Sequence, residues 1–353
     1  GQLTEVYKDV IGIAGCHGKT TITSMLAYIC ESGKPDATVH IGGFVDILHG
    51  GVRIGAHDMF ITEACEYVES FLTLRPTVAL INNIDDDHLD YYKDIDHITD
   101  AFRKFLALLP QGGMFIGCAD DPRVRRLLVE HRGAHISYGM ANADYTPGNI
   151  VYDAAGCPAF DLLYEGRSLG RISLCVPGEH NIINAIAAAA VALYAGTPFP
   201  AIAEALHAFE NTRRRFEFFG ERSGIKYYHD YAHHPAEINA TLSAAARVPH
   251  GKLWCVFQCN SYTRAKTLFC KNVTCFAPAD EVLVPDIYPG RETDDGSVHA
   301  RDMVSGINAG GTKAVYLPTF EDIRAYLDAN AEPGDLVVTL GSGDVYKQTQ
   351  KLL

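Results

Sequence analysis

Residues 14–21 read Ala14-Gly15-Cys16-His17-Gly18-Lys19-Thr20-Thr21, and these types in this order suit the binding of a polyphosphate. Gly15 and Gly18 let backbone N–H groups curl around phosphate oxygens, Lys19 adds a mobile cation, and Thr20 offers a hydroxyl to Mg²⁺. The general pattern asks for glycine five positions before Gly18, where Ile13 stands with Gly12 and Gly15 beside it, and Gly-Lys-Thr also arises by chance in ordinary loops. Glu63 closes the apolar run Asp58–Glu63, where a carboxylate either holds Mg²⁺ or sits on the surface. Asp85-Asp86-Asp87-His88-Leu89-Asp90 makes a cation site or, equally, an acidic helix start. Asn181 and Asn184 are spaced to share a helix face, as capping residues or as contacts to a base. Arg213-Arg214-Arg215 is a cationic cluster or a solvated basic patch. His229-Asp230-Tyr231-Ala232-His233-His234-Pro235 gathers imidazoles and an acid before a helix-starting proline. Arg264, in Gln258–Arg264, suits a carboxylate or a plain surface position.

The elements that must position these residues follow from hydrophobic periodicity. Val10–Ile13 predicts a buried strand and Ile22–Ile29 a helix, so the glycine-rich turn lies where a helix N-terminus points at an anion. Residues 39–54 read as glycine-rich and irregular. Further strands are expected at 58–63, 77–84 and 114–118, helices at 97–109 and 122–131, and after Pro177–Asn184 an alanine-rich helix to Leu193. The alternation predicts an α/β fold around a doubly wound, mostly parallel sheet. Short runs broken by Gly156, Gly166 and Gly170 predict antiparallel strands appended to it. The α/β pattern resumes after the arginine cluster, with strands at 225–229, 252–257, 280–284, 313–317 and 335–340 and helices at 235–247, 299–307, 320–329 and 344–352. That second unit reads as a smaller Rossmann-like domain.

Composition narrows the class. A net charge of −13 argues against a nucleic-acid scaffold. No apolar run approaches the roughly 20 residues of a membrane span, so no membrane insertion is expected. The 10 cysteines include no Cys-x-x-Cys pair, which fits reduced thiols of a cytoplasmic protein. The N-terminus has no signal-peptide layout and begins almost on the first strand, as in a cut chain.

Taken together and in order, these segments resemble the Mur ligases, the ADP-forming amino-acid ligases of bacterial cell-wall synthesis. The resemblance rests on residues 14–21, Glu63-Ala64-Cys65-Glu66-Tyr67, Asn83–Asp90, Pro177-Gly178-Glu179-His180-Asn181, Arg214-Arg215-Phe216, Asp230–Pro235 and Gly341-Ser342-Gly343-Asp344-Val345-Tyr346. It implies a central ATP-binding domain over 1–215 and an amino-acid-binding domain over 216–353. The His-His-Pro loop points to the alanine-adding member or the related murein-tripeptide ligase. UDP-N-acetylmuramate and L-alanine are then the substrates, joined through an acyl phosphate, and ATP with two Mg²⁺ (or Mn²⁺) ions the cofactors. The resemblance leaves both monomer and homodimer open.

By the same resemblance Gly15, His17, Gly18, Lys19, Thr20 and Thr21 cradle the nucleotide, with Lys19 on the β- and γ-phosphates. Thr20 and Glu63 hold one Mg²⁺ and His88 helps hold the second. Asn181 meets adenine, and Arg215 and Asp230 meet the nucleotide from the second domain. Tyr231, His233 and Arg264 line the amino-acid site, and domain closure keeps water from the acyl phosphate. Lys19, His88, His233 and Arg264 carry the catalysis.

Two departures stand out. Members of the family carry an N-terminal UDP-binding domain of roughly a hundred residues, for which the 13 or so residues before the phosphate loop leave no room, so weak UDP-sugar binding and little turnover are expected of this chain alone. The family's Gln-Pro-His is Gln258-Cys259-Asn260 here, which bears on the choice of amino acid. The competing readings are a phosphate-loop kinase or NTPase, a ligase of the family for another amino acid or a murein tripeptide, and a non-catalytic nucleotide-binding paralogue.

Overall fold

The computed structural model describes residues 1–32, 35–89 and 91–353. They divide into two compact units, Gly1–Asp153 with Cys157–Arg213, and Ala154–Gly156 with Arg214–Leu353.

The first unit begins with β1 (Asp9–Ala14), α1 (Lys19–Glu31), β2 (Thr38–Val45), β3 (Gly50–Arg53), β4 (Met59–Glu63), β5 (Val78–Ile81) and α2 (Ile95–Leu106). It continues with β6 (Met114–Cys118), α3 (Pro122–Glu130), β7 (Ala134–Tyr138), β8 (Tyr145–Tyr152), β9 (Pro158–Tyr164), β10 (Arg167–Ser173), α4 (Glu179–Tyr194) and α5 (Phe199–His207). Among the described residues its strands form one sheet in the order β10-β9-β8-β7-β6-β5-β1-β4-β2-β3. β1 pairs in parallel with β4 and β5, whereas β9 pairs antiparallel with β8 and β10. The antiparallel strands expected from the glycine-broken stretch therefore extend the main sheet.

β1 can lie at the centre because Val10, Ile11, Ile13 and Ala14 are apolar on both faces, as a strand covered on both sides requires. α1 is buried along nearly its whole length, and α4 packs through the fully buried run Ala185–Ala190. α3 is started by Asp121, whose carboxylate accepts from the N–H groups of Arg123 and Val124, with Pro122 in the first turn.

Three expectations need correction. Residues 39–54 are not irregular but supply β2 and β3, with β2 parallel to β4 and antiparallel to β3. Their glycines reflect crowding: a Cβ on Gly42 would lie 3.2 Å from the Glu63 carboxylate, and one on Gly43 would lie 2.9 Å from Thr20 Cγ2. The strand expected to reach Ile84 stops at Ile81, because the side chains that follow are committed to the phosphate loop. The helix expected over 97–109 runs from 95 to 106 and leaves Leu109 outside. It is started by Asp94, which accepts from His97 N–H, so Asp85–His88 is a loop and not a helix start; Asp90 lies outside the described residues. β7 and α5 escaped the sequence reading.

The second unit comprises β11 (Glu217–Arg222), β12 (Ile225–Asp230), α6 (Pro235–Ala245), β13 (Leu253–Phe257), α7 (Tyr262–Thr267), α8 (Phe269–Asn272) and β14 (Glu281–Val284). It closes with α9 (Ala300–Ala309), β15 (Lys313–Tyr316), α10 (Phe320–Asn330), β16 (Leu336–Leu340) and α11 (Val345–Leu352). The sheet order is β11-β12-β16-β13-β14-β15, parallel except for β11. The unforeseen elements are β11, α7 and α8.

One polar hub ties this sheet's edge to its helices. Glu281, fully buried, accepts from Lys252 Nζ at 2.6 Å, Lys313 Nζ at 2.9 Å and Tyr326 Oη at 2.7 Å. Burial pushes its carboxyl up, but these three donors outweigh it and the net shift is downward. Lys252 also lies 3.5 Å from the ring centre of Trp254, the chain's single tryptophan. Glu281→Gln leaves Lys252 without its charge partner and is expected to cost roughly 2 kcal/mol, measured by urea unfolding followed through Trp254 fluorescence.

Candidate functional site

The phosphate loop is held open by side chains from the end of β5. Asn83 Oδ1 accepts from His17 N–H at 2.7 Å, and the side-chain amides of Asn82 and Asn83 each donate to the His17 carbonyl at 3.0 Å. Tyr138, from β7, donates its hydroxyl to Asn82 Oδ1 at 2.8 Å, and Asn184 Oδ1 lies 3.5 Å from Asn82 Nδ2. Gly18 caps α1 with φ 85°, a left-handed conformation that glycine adopts without strain. A Cβ there would lie 2.6 Å from Asn82 Nδ2 and 2.7 Å from Asn184 Oδ1. Thr21 is buried in the first turn of α1, and the His17 imidazole Nε2 sits 3.3 Å from Asp85 Oδ2.

Lys19 is the electrostatic centre. Its ammonium donates to the carbonyl of Cys16 at 3.2 Å and to Glu66 Oε1 and Oε2 at 3.0 and 2.8 Å, with Glu66 only 1% exposed. Burial works against the charged lysine, but the Glu66 carboxylate more than offsets it and the pKa rises. Glu66 is fixed in turn by Tyr92, whose hydroxyl donates to its carbonyl at 2.5 Å. The backbone just beyond is strained, with Val68 at φ 48°.

Oxygen donors gather on both sides of this pair. Thr20 Oγ1 donates to Glu63 Oε2 at 3.1 Å, and Glu63 Oε1 accepts from Gly42 N–H at 2.7 Å. Glu66, Asp87 and His88 present ligand atoms all within 4.8 Å of one another, with His88 Nε2 3.8 Å from Glu66 Oε1. A hydroxyl with a carboxylate at the first place, and two carboxylates with one imidazole at the second, fit hard divalent cations. Asn181 is 4% exposed; its amide donates to the Pro177 carbonyl at 2.8 Å and its Oδ1 accepts from Asn184 at 3.3 Å.

The second unit collects the other candidates. Asp230 is 6% exposed, and its carboxylate accepts from Ala232 N–H at 2.7 Å and Phe216 N–H at 2.8 Å. Burial raises its pKa despite Arg215 and those two donors. The Arg215 guanidinium lies 3.6 Å from Glu237 and 5.6 Å from the Tyr231 ring centre. Tyr231 and His233 meet edge to face at 5.3 Å, and His233 Nδ1 is 3.6 Å from Glu237 Oε2. Arg264 starts from a strained corner, Ser261 at φ 75°, whose hydroxyl accepts from Arg264 N–H at 3.2 Å. Cys259 is buried, and Asn260 donates to Ser342 Oγ at 2.5 Å.

The structure thus joins Gly18, Lys19, Thr20, Glu63 and His88 in one place and Arg215, Tyr231 and His233 in another. Sequence reasoning missed Asn82, Asn83, Glu66, Tyr92, Tyr138 and Glu237 as supporting residues. Glu66 was visible only as the second acid of Glu63-Ala64-Cys65-Glu66. The two asparagines stand immediately after an apolar strand, a signal that marks any strand end.

Two outcomes follow. Lys19→Met leaves Glu66 buried without its cation and is expected to cost about 3 kcal/mol; the double change with Glu66→Gln is expected to recover most of it in a double-mutant cycle by denaturant unfolding. His229 is fully buried beside Asp230 and bonds Thr339 Oγ1 at 2.9 Å. Burial first, then Arg214, lowers its pKa to about 3. Its neutral form stabilises the fold above an unfolded pKa near 6.5, and stability is lost progressively as pH falls from there toward 3. His229→Gln is expected to flatten that part of the stability–pH curve, read from Trp254 fluorescence.

The Mur ligase middle domain profile matches residues 13–192, and that of the Mur ligase, glutamate ligase domain matches 214–343. The chain is 43% identical over 347 residues to UDP-N-acetylmuramate–L-alanine ligase of Clostridium botulinum (strain Okra / Type B1), covering 98% of this chain and 76% of that one. Among solved structures, UDP-N-acetylmuramate–alanine ligase MurC from Thermotoga maritima superposes with a TM-score of 0.80 at 23% identity, over 99% of this chain and 76% of the other. A MurF ligase from the same organism in complex with ADP gives 0.78 at 16% identity, over 99% and 80%. With two successive domain matches and this identity along nearly its whole length, the chain belongs to the Mur ligase family.

Proposed function

We propose that this protein is an ATP-dependent, ADP-forming ligase that joins L-alanine to the carboxyl group of UDP-N-acetylmuramate, a cytoplasmic step of peptidoglycan precursor synthesis. The observation that carries the reading is the 43% identity to an L-alanine-adding ligase across 98% of the chain. The cradle around Lys19 supplies the chemistry that the reading needs.

The phosphate loop binds ATP through backbone N–H groups at the start of α1, with Gly15, His17, Gly18, Thr20 and Thr21 shaping the cradle. Glu66 keeps Lys19 protonated and aimed along the loop, where the ammonium offsets charge as the γ-phosphoryl group moves to the substrate carboxylate. Thr20 and Glu63 would hold one Mg²⁺ and Glu66, Asp87 and His88 a second, with Mn²⁺ suited to the same donors. Such ions neutralise phosphate charge and orient the reacting groups. Asn181, Arg215 and Asp230 complete the nucleotide contacts. The acyl phosphate is then attacked by the amine of L-alanine, whose carboxylate Arg264 grips and whose methyl group packs beside Tyr231 and His233. Collapse of the tetrahedral adduct gives the amide and phosphate.

The buried Cys259 and the Asn260–Ser342 contact favour a second reading in which the same ligase chemistry serves another amino acid. The test is phosphate release by the full-length protein with MgATP and UDP-N-acetylmuramate, comparing L-Ala, Gly and L-Ser. Release dependent on L-Ala, reduced at least about 100-fold by Lys19→Ala, is the expected result. Release stimulated by a different amino acid keeps the ligase and replaces the substrate. Release indifferent to any amino acid overturns the assignment in favour of a plain NTPase.

A further inference from the structure

Cys157 and Cys175 flank the same end of the β9–β10 hairpin, Cys157 just before β9 and Cys175 two residues after β10. The antiparallel register places Ser173 opposite Ala159, and Leu174 N–H donates to the Pro158 carbonyl at 2.9 Å. Continued one step beyond the ladder, to the bend at residue 175, this register would set Cys175 opposite Cys157. Because the Leu174–Pro158 pair is hydrogen-bonded, the next pair of a ladder so continued would take the alternate, non-hydrogen-bonded position, where opposing Cα atoms are about 4.5 Å apart and side chains share a face. That spacing lies within the roughly 4.4–6.8 Å that a disulfide needs. The backbone of Cys157 turns the other way: its N–H donates to Asp153 Oδ1 at 2.9 Å and its carbonyl accepts from Asp153 N–H at 3.0 Å. Both thiols are reduced, and Cys175 is exposed. Cys175 Sγ also lies 3.8 Å from His207 Nδ1, at the end of α5, and the same nitrogen is 3.3 Å from the Ser173 carbonyl.

We infer that Cys157 and Cys175 form a cross-strand dithiol that closes to a disulfide by exchange with a low-molecular-weight disulfide of the glutathione type. The exchange starts at Cys175, the exposed partner, whose thiol proton passes to solvent. Its sulfur displaces one small thiolate and forms a mixed disulfide. Cys157 then loses its proton to solvent and attacks Cys175 Sγ, expelling the second small thiol. One small disulfide is reduced to two thiols and the protein dithiol is oxidised to one disulfide, so atoms and electrons balance. Burial, then the charges of Asp153 and Cys175, push the Cys157 thiol up to about 11, which makes it the resolving partner and not the first to react. The bond would tie down the segment leading from β10 into α4, two residues before Pro177, whose carbonyl holds Asn181.

The experiment equilibrates the native full-length protein with graded mixtures of oxidised and reduced glutathione, quenches with an alkylating agent and maps peptides without reduction. The expected result is a Cys157–Cys175 linked peptide, two hydrogens lighter than its parts, appearing ahead of any other cysteine pair and reversed by reduced glutathione. Cys157→Ser should arrest the reaction with glutathione on Cys175, and Cys175→Ser should leave Cys157 alkylatable throughout. A wild-type protein that stops at the Cys175 mixed disulfide, that keeps both thiols free, or that forms the linked peptide only in urea overturns the inference.

Discussion

The contact between Lys19 and Glu66 is the constraint around which the first unit is arranged. A lysine at the mouth of a phosphate loop must stay charged and well aimed before any anion arrives. Burying it without a counter-charge would favour its neutral form. Glu66 removes that difficulty, and its own near-complete burial must then be supported by Tyr92 and by the strained turn that follows. β4, the strained turn and the loop after β5 are therefore placed by the needs of one ammonium group. The position of β1 between β4 and β5 follows from the same requirement, because only neighbouring parallel strands bring Glu63, Glu66 and the Asp87–His88 loop to the same edge.

The loop itself is shaped less by its glycines than by what crowds them. Asn82 and Asn83 fasten the His17 carbonyl, and Gly18 is the one residue type that fits between Asn82 and Asn184. Gly42 and Gly43 play the corresponding part on β2, where a Cβ would press on the Glu63 carboxylate at 3.2 Å or on Thr20 Cγ2 at 2.9 Å. What reads in the sequence as loose, glycine-rich text is thus a strand passing close to the hydrogen-bonded Thr20 and Glu63 side chains. Flexibility is not the reason for these glycines; clearance is.

Much of this was legible in advance. The phosphate-loop turn, Glu63, the parallel core strands and nearly all of the second unit's elements announce themselves by local pattern, because buried strands and amphipathic helices carry their burial in their spacing. The parts that stayed hidden share a different physics. β2 and β3 were obscured by glycines whose purpose is a long-range contact. β7 and β11 are partly exposed strands without a strong apolar run. Asn82, Glu66 and Glu237 act through partners far away in the chain or through a neighbouring turn, and no window of residues displays such a partnership. The acidic Asp85–His88 stretch was ambiguous for the same reason, since only the location of the true helix start at Asp94 decides it.

The small-residue helix α4 carries a consequence of another kind. It packs through Ala185–Ala190, all fully buried, and it also presents Asn181 and Asn184 at its first turns, where Asn184 sits against the Gly18 corner. A helix seated on alanines has no slack: a single added methylene lifts the whole rod from the sheet. Because the rod ends at the phosphate loop, such a lift becomes a displacement of its two asparagines. Side-chain volume in the middle of the core thereby bears on where the two asparagines sit against the Gly18 corner. Natural variation at positions that never touch a ligand could adjust the site in small increments while every polar group around it stays the same.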